Sequence, residues 1–95
     1  MNRNYLSGAR FERRVKKYYE DFGYFVVRSA GSHSPVDLVA IKKNGSALFI
    51  QCKTDGKMSP KEKAELIAVS KKAGAIPLVA WRAGRTLKVI DVRNL

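Results

Sequence analysis

The chain has 95 residues, 45% of them hydrophobic, and a chain of this size forms one domain with a modest core. We therefore expect a single domain over residues 1–95. Nineteen lysines and arginines against eight aspartates and glutamates give a formal net charge of +11 at pH 7. Such a charge attracts polyanions, which makes nucleic acid the leading candidate partner. A purely architectural nucleic-acid-binding protein would carry the same charge, so charge alone does not indicate catalysis.

Other features of the sequence exclude several classes of protein. No run of eighteen apolar residues occurs, so we expect no membrane span and no membrane partner. The first residues lack the apolar stretch of a signal peptide, and the single cysteine predicts a reducing, intracellular location. Cys52 is the single cysteine, so an intramolecular disulfide is excluded. Because its neighbours alternate like a strand, we interpret Cys52 as a small buried hydrophobe and not as a catalytic thiol.

The first half of the chain predicts a helix followed by three strands. Apolar residues recur with helical spacing over residues 7–22, at Phe11, Val15, Tyr18, Tyr19 and Phe22. Gly23 then ends the helix, and residues 24–28 form a short strand. After a small polar loop, residues 36–42 and 47–53 are predicted strands, and both of their faces are apolar. Such strands suit a sheet that is covered on both sides.

The connection between the second and third strands decides which residues face each other. A two-residue loop, Asn44-Gly45, would place Asp37 opposite Cys52. A three-residue loop that also includes Lys43, with a left-handed Gly45, would place Asp37 opposite Gln51. Only the second alignment gathers Asp37, Gln51 and Lys53 on one face, because alternate residues of a strand share a side. We expect the three-residue loop.

The second half predicts a helix and two further strands. Ser59-Pro60-Lys61-Glu62 has the pattern of a capping box with proline at the first helical position. This helix should run to about Ala73, where Gly74 ends it. Residues 76–81 and 86–92 are the last strands, so the predicted order is αβββαββ.

The polar residues of the central strands point to phosphodiester chemistry. Mg²⁺ prefers oxygen ligands, and Asp37 offers a carboxylate, Gln51 an amide oxygen and Cys52 its backbone carbonyl. Lys53 would orient the attacking water or stabilise charge on the reacting phosphate. Glu12 would reach the site from the first helix, directly or through water. Singly, Asp37 could begin a strand and Glu12 could be an ordinary helix residue, but their combination in this order indicates a metal-dependent nuclease.

Several segments together resemble one family of nucleases. The chain is similar to the archaeal-type Holliday junction resolvases of the PD-(D/E)xK superfamily at residues 7–13, 27–32, 36–40, 50–53 and 74–77. The resemblance implies a restriction-endonuclease-like αβββαββ core, an α/β fold with a central mixed five-stranded sheet and helices on both faces. It also implies a homodimer that binds four-way DNA junctions by shape and nicks two opposing strands with Mg²⁺ or Mn²⁺. Such a protein would act in the cytoplasm or nucleoid of a prokaryotic or virus-infected cell.

The resemblance also assigns roles to individual residues. It places Glu12, Asp37, Gln51 and Lys53 in the active site, and it makes Ser32, in a loop near the site, a further catalytic candidate. Arg13 and Arg28 match the family's DNA-contacting arginines. The remaining candidate DNA-binding residues are Arg10, Ser29, Ser32, His33 and Lys57.

Position 51 departs from the family pattern, because glutamine replaces a glutamate there. The change removes one negative charge from the expected metal site. Three interpretations follow: a junction-resolving nuclease that uses an amide ligand, a VRR-type nuclease on flaps or other branched DNA, and a catalytically inactive junction-binding protein.

Overall fold

The backbone follows the order of helices and strands that the sequence predicts. The computed structural model describes residues 3–29 and 34–95, with side chains from residue 8 onward. Its elements are α1 (Arg3–Asp21), β1 (Phe25–Arg28), β2 (Leu38–Ile41), β3 (Ala47–Cys52), α2 (Pro60–Ala73), β4 (Ile76–Ala83) and β5 (Thr86–Asp91), followed by a 3-10 turn at Val92–Asn94. Among the described residues, neither helix is long and apolar enough to cross a membrane.

The five strands form one mixed sheet in the order β1-β2-β3-β4-β5. Neighbouring strands are antiparallel except β3 and β4, which run parallel. A parallel pair needs a crossover connection, and α2 provides it. This arrangement confirms the predicted mixed five-stranded sheet.

A helix covers each face of the sheet. The first hydrophobic cluster joins α1 to one face and contains Phe11, Val15, Tyr19, Val26, Leu38, Ala40, Ile50 and Ala80. The second joins α2 to the other face and contains Val36, Leu66, Val79 and Val92. Leu66 is fully buried there, which stabilises the docking of α2 by about 1.5–3 kcal/mol. The alternation of apolar residues along the strands thus produces the two covered faces that the sequence predicts.

The ends of α2 are fixed by the predicted caps. The Ser59 hydroxyl accepts a hydrogen bond from the backbone N–H of Glu62 at 3.1 Å, and the Glu62 carboxylate accepts one from the N–H of Ser59 at 3.0 Å. Gly74 ends the helix in the left-handed region, at φ 70°. The capping box therefore fixes the residue at which the loop after β3 ends and α2 begins.

The β2–β3 hairpin has the three-residue loop. Leu38 pairs with Ile50 and Ile41 with Ala47, and the N–H of Lys42 donates to the carbonyl of Ser46 at 2.8 Å. Gly45 lies in the left-handed region at φ 91°, and its N–H donates to the carbonyl of Lys42 at 2.9 Å. The alignment that brings Asp37 beside Gln51 is therefore confirmed.

Some element boundaries differ from the prediction. Helix α1 begins at Arg3 and not at residue 7, since no proline or glycine interrupts residues 3–7. Strand β2 is shorter than the predicted residues 36–42. Residues 36 and 39 of a regular strand would face opposite sides of the sheet, but Val36 and Val39 both contact the second hydrophobic cluster, so the strand alternation is broken between them. Strand β4 is longer, because Ala83 pairs with Thr86 and the turn shrinks to two residues.

Replacing Gly45 by alanine tests the hairpin loop. An alanine side chain strains a left-handed backbone, so Gly45→Ala should lower the free energy of unfolding by about 1–2 kcal/mol in urea denaturation. Gly8→Ala is the control, because Gly8 lies within α1 with open space around its Cα. That change should raise stability by about 0.5–1 kcal/mol. An unchanged Gly45→Ala variant would contradict this account of the loop.

Candidate active site

The predicted site residues lie at one end of the sheet. Strands β2 and β3 are antiparallel, so the start of β2 lies beside the end of β3, and the N–H of Asp37 donates to the carbonyl of Ile50 at 2.9 Å. At the end of β1, Arg28 pairs with Leu38 and therefore lies at the same end. From α1, the Glu12 carboxylate accepts a hydrogen bond from Nε of Arg28 at 2.9 Å. Three strands and one helix thus converge there.

Asp37 is a half-buried carboxylate among several charged groups. Its Oδ2 accepts a hydrogen bond from the backbone N–H of Cys52 at 2.8 Å. Burial raises the pKa of Asp37, and the negative charge of Glu12 adds to the rise. The bond from Cys52 and the positive charges of Lys53 and Arg28 act in the opposite direction. The structure therefore brings Asp37, Glu12, Lys53 and Arg28 into electrostatic contact.

Gln51 is a buried polar side chain on the α2 side of the sheet. It is 9% exposed, and its Nε2 donates to Oε2 of Glu62 at 3.5 Å. Within the described residues, its Oε1 has no hydrogen-bond partner. A buried acceptor without a partner loses its hydration and gains nothing in return, so it is free to bind a ligand.

Lys53 shares the same carboxylate. Its ammonium group forms an ion pair with Oε2 of Glu62, and both side chains are about one-third exposed, at 28% and 31%. Gln51 and Lys53 therefore lie on one side of β3, as the strand alternation predicts.

Glu62 is the site residue that sequence reasoning missed. The sequence predicts Glu62 only as the last residue of the capping box, yet its carboxylate contacts both Gln51 and Lys53. The hydrogen bond from Lys53, together with that from the N–H of Ser59, lowers the pKa of the Glu62 carboxyl. The sequence does contain one indication of this role. Glu62 lies in the first turn of the helix that follows β3, the strand that carries Gln51.

Cys52 contributes its backbone and not its thiol. The side chain packs against the first hydrophobic cluster, on the opposite face from Gln51. Burial raises the pKa of the thiol, and the negative charge of Asp37 adds to this effect. A thiol kept protonated is a poor nucleophile, so the side chain acts as a small hydrophobe.

The candidate DNA-binding residues are placed unevenly around this cluster. The N–H of Ser29 donates to the carbonyl of Asp37 at 2.9 Å, so Ser29 lies next to the site. Arg10, Arg13 and Lys57 are exposed. No hydrogen bond or ion pair within the described part of the chain joins these three side chains to the site. Ser32 and His33, which the sequence also predicts as DNA contacts, lie outside the described residues.

The loop between β3 and α2 is positioned by an aromatic side chain. Gly56 has φ 73°, and a Cβ at this residue would lie 2.9 Å from Cδ1 of Trp81. The backbone therefore approaches the indole more closely than any other residue would permit. Lys57 follows directly, and its N–H donates to Oδ1 of Asp55 at 3.0 Å.

The donor atoms of the site fit a hard divalent cation. Within residues 8–29 and 34–95, no group of three or more histidine, cysteine, aspartate and glutamate residues is arranged to hold a metal ion. A cation would therefore depend on mixed oxygen donors: the Asp37 carboxylate, Oε1 of Gln51 and the backbone carbonyl of Cys52. Oxygen donors of this kind suit Mg²⁺ and Mn²⁺. The unpartnered Oε1 is the observation of this structure that favours such an occupant.

Comparison with known proteins gives consistent matches over nearly the whole chain. The profile of the archaeal Holliday junction resolvase family (Hjc) matches residues 3–95. The crossover junction endodeoxyribonuclease Hjc of Methanocaldococcus jannaschii is 38% identical in an alignment of 84 residues, which covers 84% of this chain and 62% of the relative. The solved structure of Archaeoglobus fulgidus Hjc, a Holliday junction resolvase, superposes with a TM-score of 0.79 at 27% identity, covering 92% of this chain and 74% of that one. The chain thus spans less than two-thirds of the curated relative.

Asp37→Asn tests the burial of charge at the site. Burial raises the pKa of Asp37 in the folded protein. Above that pKa the carboxylate is ionised and lowers the free energy of unfolding. Below the unfolded-state pKa of about 3.9, Asp37 is protonated in both states and no longer affects stability. The asparagine oxygen can still accept from the N–H of Cys52. In urea denaturation without divalent cations, Asp37→Asn should therefore be more stable than the wild type at pH 7 and equal to it near pH 3.

Asp55→Asn is the matched control for that measurement. Asp55 is exposed, and asparagine can still accept from the N–H of Lys57. Its stability should stay within about 0.5 kcal/mol of the wild type at both pH values. Loss of stability in Asp37→Asn at pH 7 would contradict the assigned cost of burial.

Proposed function

We propose that this protein, which belongs to the archaeal Holliday junction resolvase family, is a structure-selective endonuclease that nicks two opposing strands of a four-way DNA junction. The observation that carries the proposal is the convergence of Asp37, Gln51 and Lys53 at one end of the sheet, beside Glu12. We further propose that residues 1–95 act as one catalytic domain.

The proposed substrate is branched DNA recognised mainly through its phosphates. A net charge of +11 favours a polyanion, and phosphate contacts supply most of the sequence-independent affinity for DNA. Arg10 and Arg13 lie three residues apart on exposed positions of α1, on either side of Glu12 in the sequence. Arg28 lies at the end of β1, where its guanidinium is held by Glu12. These arginines would position the DNA backbone with respect to Asp37.

Two other proposed DNA contacts, Ser29 and Lys57, lie in the segments that follow β1 and β3. Ser29 adjoins Asp37 through a backbone hydrogen bond, and Lys57 is exposed in the loop that rests on Trp81. Ser32 and His33 complete the proposed set from sequence resemblance. Ser32 is also retained as a proposed catalytic residue.

The proposed cofactor is Mg²⁺ or Mn²⁺. The Asp37 carboxylate, the Gln51 amide oxygen and the Cys52 carbonyl would hold the cation, with Glu12 in direct or water-mediated contact. A bound divalent cation polarises the scissile phosphate and lowers the pKa of a bound water. The bond from Cys52 to Oδ2 of Asp37 does not preclude this role, because each carboxylate oxygen has two lone pairs.

The remaining catalytic work falls to Lys53 and its neighbours. Hydrolysis adds a water oxygen to phosphorus and breaks one phosphorus–oxygen bond, and negative charge increases on the phosphate oxygens along the way. The ammonium group of Lys53, held by Glu62, would stabilise that charge. Glu12 would keep the Arg28 guanidinium beside Asp37, so that the positive charge remains near the reacting phosphate.

Gln51 supports one alternative, a junction-binding protein without nuclease activity. An amide carries no charge, so it attracts a cation less strongly than the carboxylate of the family pattern. The family match favours four-way junctions over the flaps expected of a VRR-type nuclease.

Cleavage of labelled four-way junctions, flaps and linear duplexes tests the function. With Mg²⁺ or Mn²⁺, the wild type should nick the junction in preference to the other two. Asp37→Asn should abolish nicking and keep or strengthen junction binding, because it removes a carboxylate that repels phosphate. Lys53→Ala should slow nicking by about 100-fold with little loss of affinity, because its role lies in the transition state.

Lys43→Ala is the matched control for Lys53→Ala. Lys43 is exposed in the β2–β3 loop, at the opposite end of the two strands, so its removal should leave the nicking rate unchanged. If no form of the protein nicks any branched DNA, the nuclease proposal fails and the binding-only alternative stands.

We also propose that the protein acts inside the cell as a two-fold symmetric homodimer. Each chain carries one site, whereas resolving a junction needs two matched cuts, and a closed dimer is the commonest soluble oligomer. Light scattering at micromolar concentration should give twice the mass of one chain. A monomer that retains paired nicking would contradict this proposal.

A further inference from the structure

One carboxylate links the first turn of α2 to the end of β3. Oε1 of Glu62 accepts from the N–H of Ser59 at 3.0 Å, which caps the helix. Oε2 faces the ammonium group of Lys53 and accepts from Nε2 of Gln51 at 3.5 Å. Glu62 therefore makes more contacts with site residues than its role in the capping box requires.

These contacts set the orientation of the Gln51 amide. An amide has a donor end and an acceptor end, and only the donor end can bond to a carboxylate. With Nε2 directed at Glu62, Oε1 is directed away from it. That oxygen is buried in a side chain that is 9% exposed, and it has no hydrogen-bond partner among the described residues. Glu62 thus holds an unused acceptor in the site.

The same contacts explain why an amide suits position 51. A glutamate there would direct a second carboxylate at Oε2 of Glu62, and like charges at this separation disfavour joint ionisation. With glutamine, Lys53 and Glu62 balance each other and the group of three is neutral. Exchanging the two side chains, with glutamate at 51 and glutamine at 62, would preserve that net charge.

We propose that Glu62 is a positioning residue of the cation site: it directs Oε1 of Gln51 toward the cation and supplies from α2 the negative charge that position 51 lacks. This inference rests on the proposed function only in assuming a divalent cation at Asp37 and Gln51. The competing explanation is that Glu62 does no more than cap α2. The two explanations differ in what happens when the cap and the charge are removed separately.

Calorimetric titration of the DNA-free protein with Mn²⁺, repeated with Mg²⁺, separates them. Glu62→Gln keeps an acceptor for the Ser59 N–H, since glutamine also serves in a capping box, but loses the charge. Its cation affinity should fall by about 10–100-fold, the usual effect of removing a group that orients a ligand. Gln51→Glu alone should bind no more tightly than the wild type, whereas Gln51→Glu with Glu62→Gln should return to within about threefold of it.

Two control variants complete the set. Ser59→Ala removes the hydroxyl cap but keeps the Glu62 carboxylate, so it should lower stability and leave cation affinity unchanged. Glu65→Gln removes a carboxylate one turn further along α2, which is paired only loosely with Lys61 at 3.9 Å, and should change neither property. The side-chain amide resonance of Gln51 in NMR spectra should shift in Glu62→Gln and not in Glu65→Gln.

Several results would overturn the inference. These are an unchanged cation affinity in Glu62→Gln, tighter binding in Gln51→Glu alone, or an equal loss in Ser59→Ala. A wild type that binds neither cation overturns it as well. The proposed function is judged separately by junction nicking. A protein whose Mn²⁺ affinity depends on Glu62 but which cuts no DNA would retain this inference and lose the proposed function.

Discussion

The alignment of β2 with β3 is the constraint on which the site depends. A one-residue slip in a hairpin turns every side chain of the strand to the other face. Here the left-handed Gly45 at φ 91° fixes the loop length, and the loop lies at the opposite end of the hairpin from the site. Asp37 consequently lies beside Gln51 and Cys52. The geometry of the site therefore depends on a turn at the other end of the hairpin.

The polar groups of the candidate site also connect different elements of the fold. The Asp37 carboxylate accepts from the N–H of Cys52 where the regular pairing of β2 and β3 ends. Glu62 caps α2 and also contacts Lys53. Glu12 joins α1 to the end of β1 through Arg28. Because each acid has a structural partner, these side chains are already ordered without a ligand, which would lower the entropic cost of binding one.

Much of the fold follows from local sequence patterns, because each pattern has a direct physical cause. The stripe of Phe11, Val15 and Tyr19 produces α1, and the Ser59–Glu62 pattern places the start of α2. The boundaries of β2 and β4 were less accurate, because they depend on which cluster Val36 contacts and on how β5 pairs. These are contacts between distant segments, and no local pattern encodes them.

The candidate site was predictable to a similar extent. Asp37, Gln51 and Lys53 could be placed together from strand alternation and loop length alone. The contact of Glu62 with the site could not be predicted in this way, because the capping box already explains a glutamate at position 62. Only the packing of α2 against β3 brings its second oxygen to Gln51.

The close approach of Gly56 to Trp81 makes Trp81 an intrinsic fluorescence probe of the loop between β3 and α2. Trp81 is the single tryptophan of the chain, so emission excited at the red edge of the indole band comes from one position. That indole supports the loop after Lys53, and the N–H of Lys53 donates to the carbonyl of Ala80, the residue before it in β4. The fluorescence of Trp81 therefore reports on the neighbourhood of the site, and any movement of the loop on ligand binding would be observable in unlabelled protein.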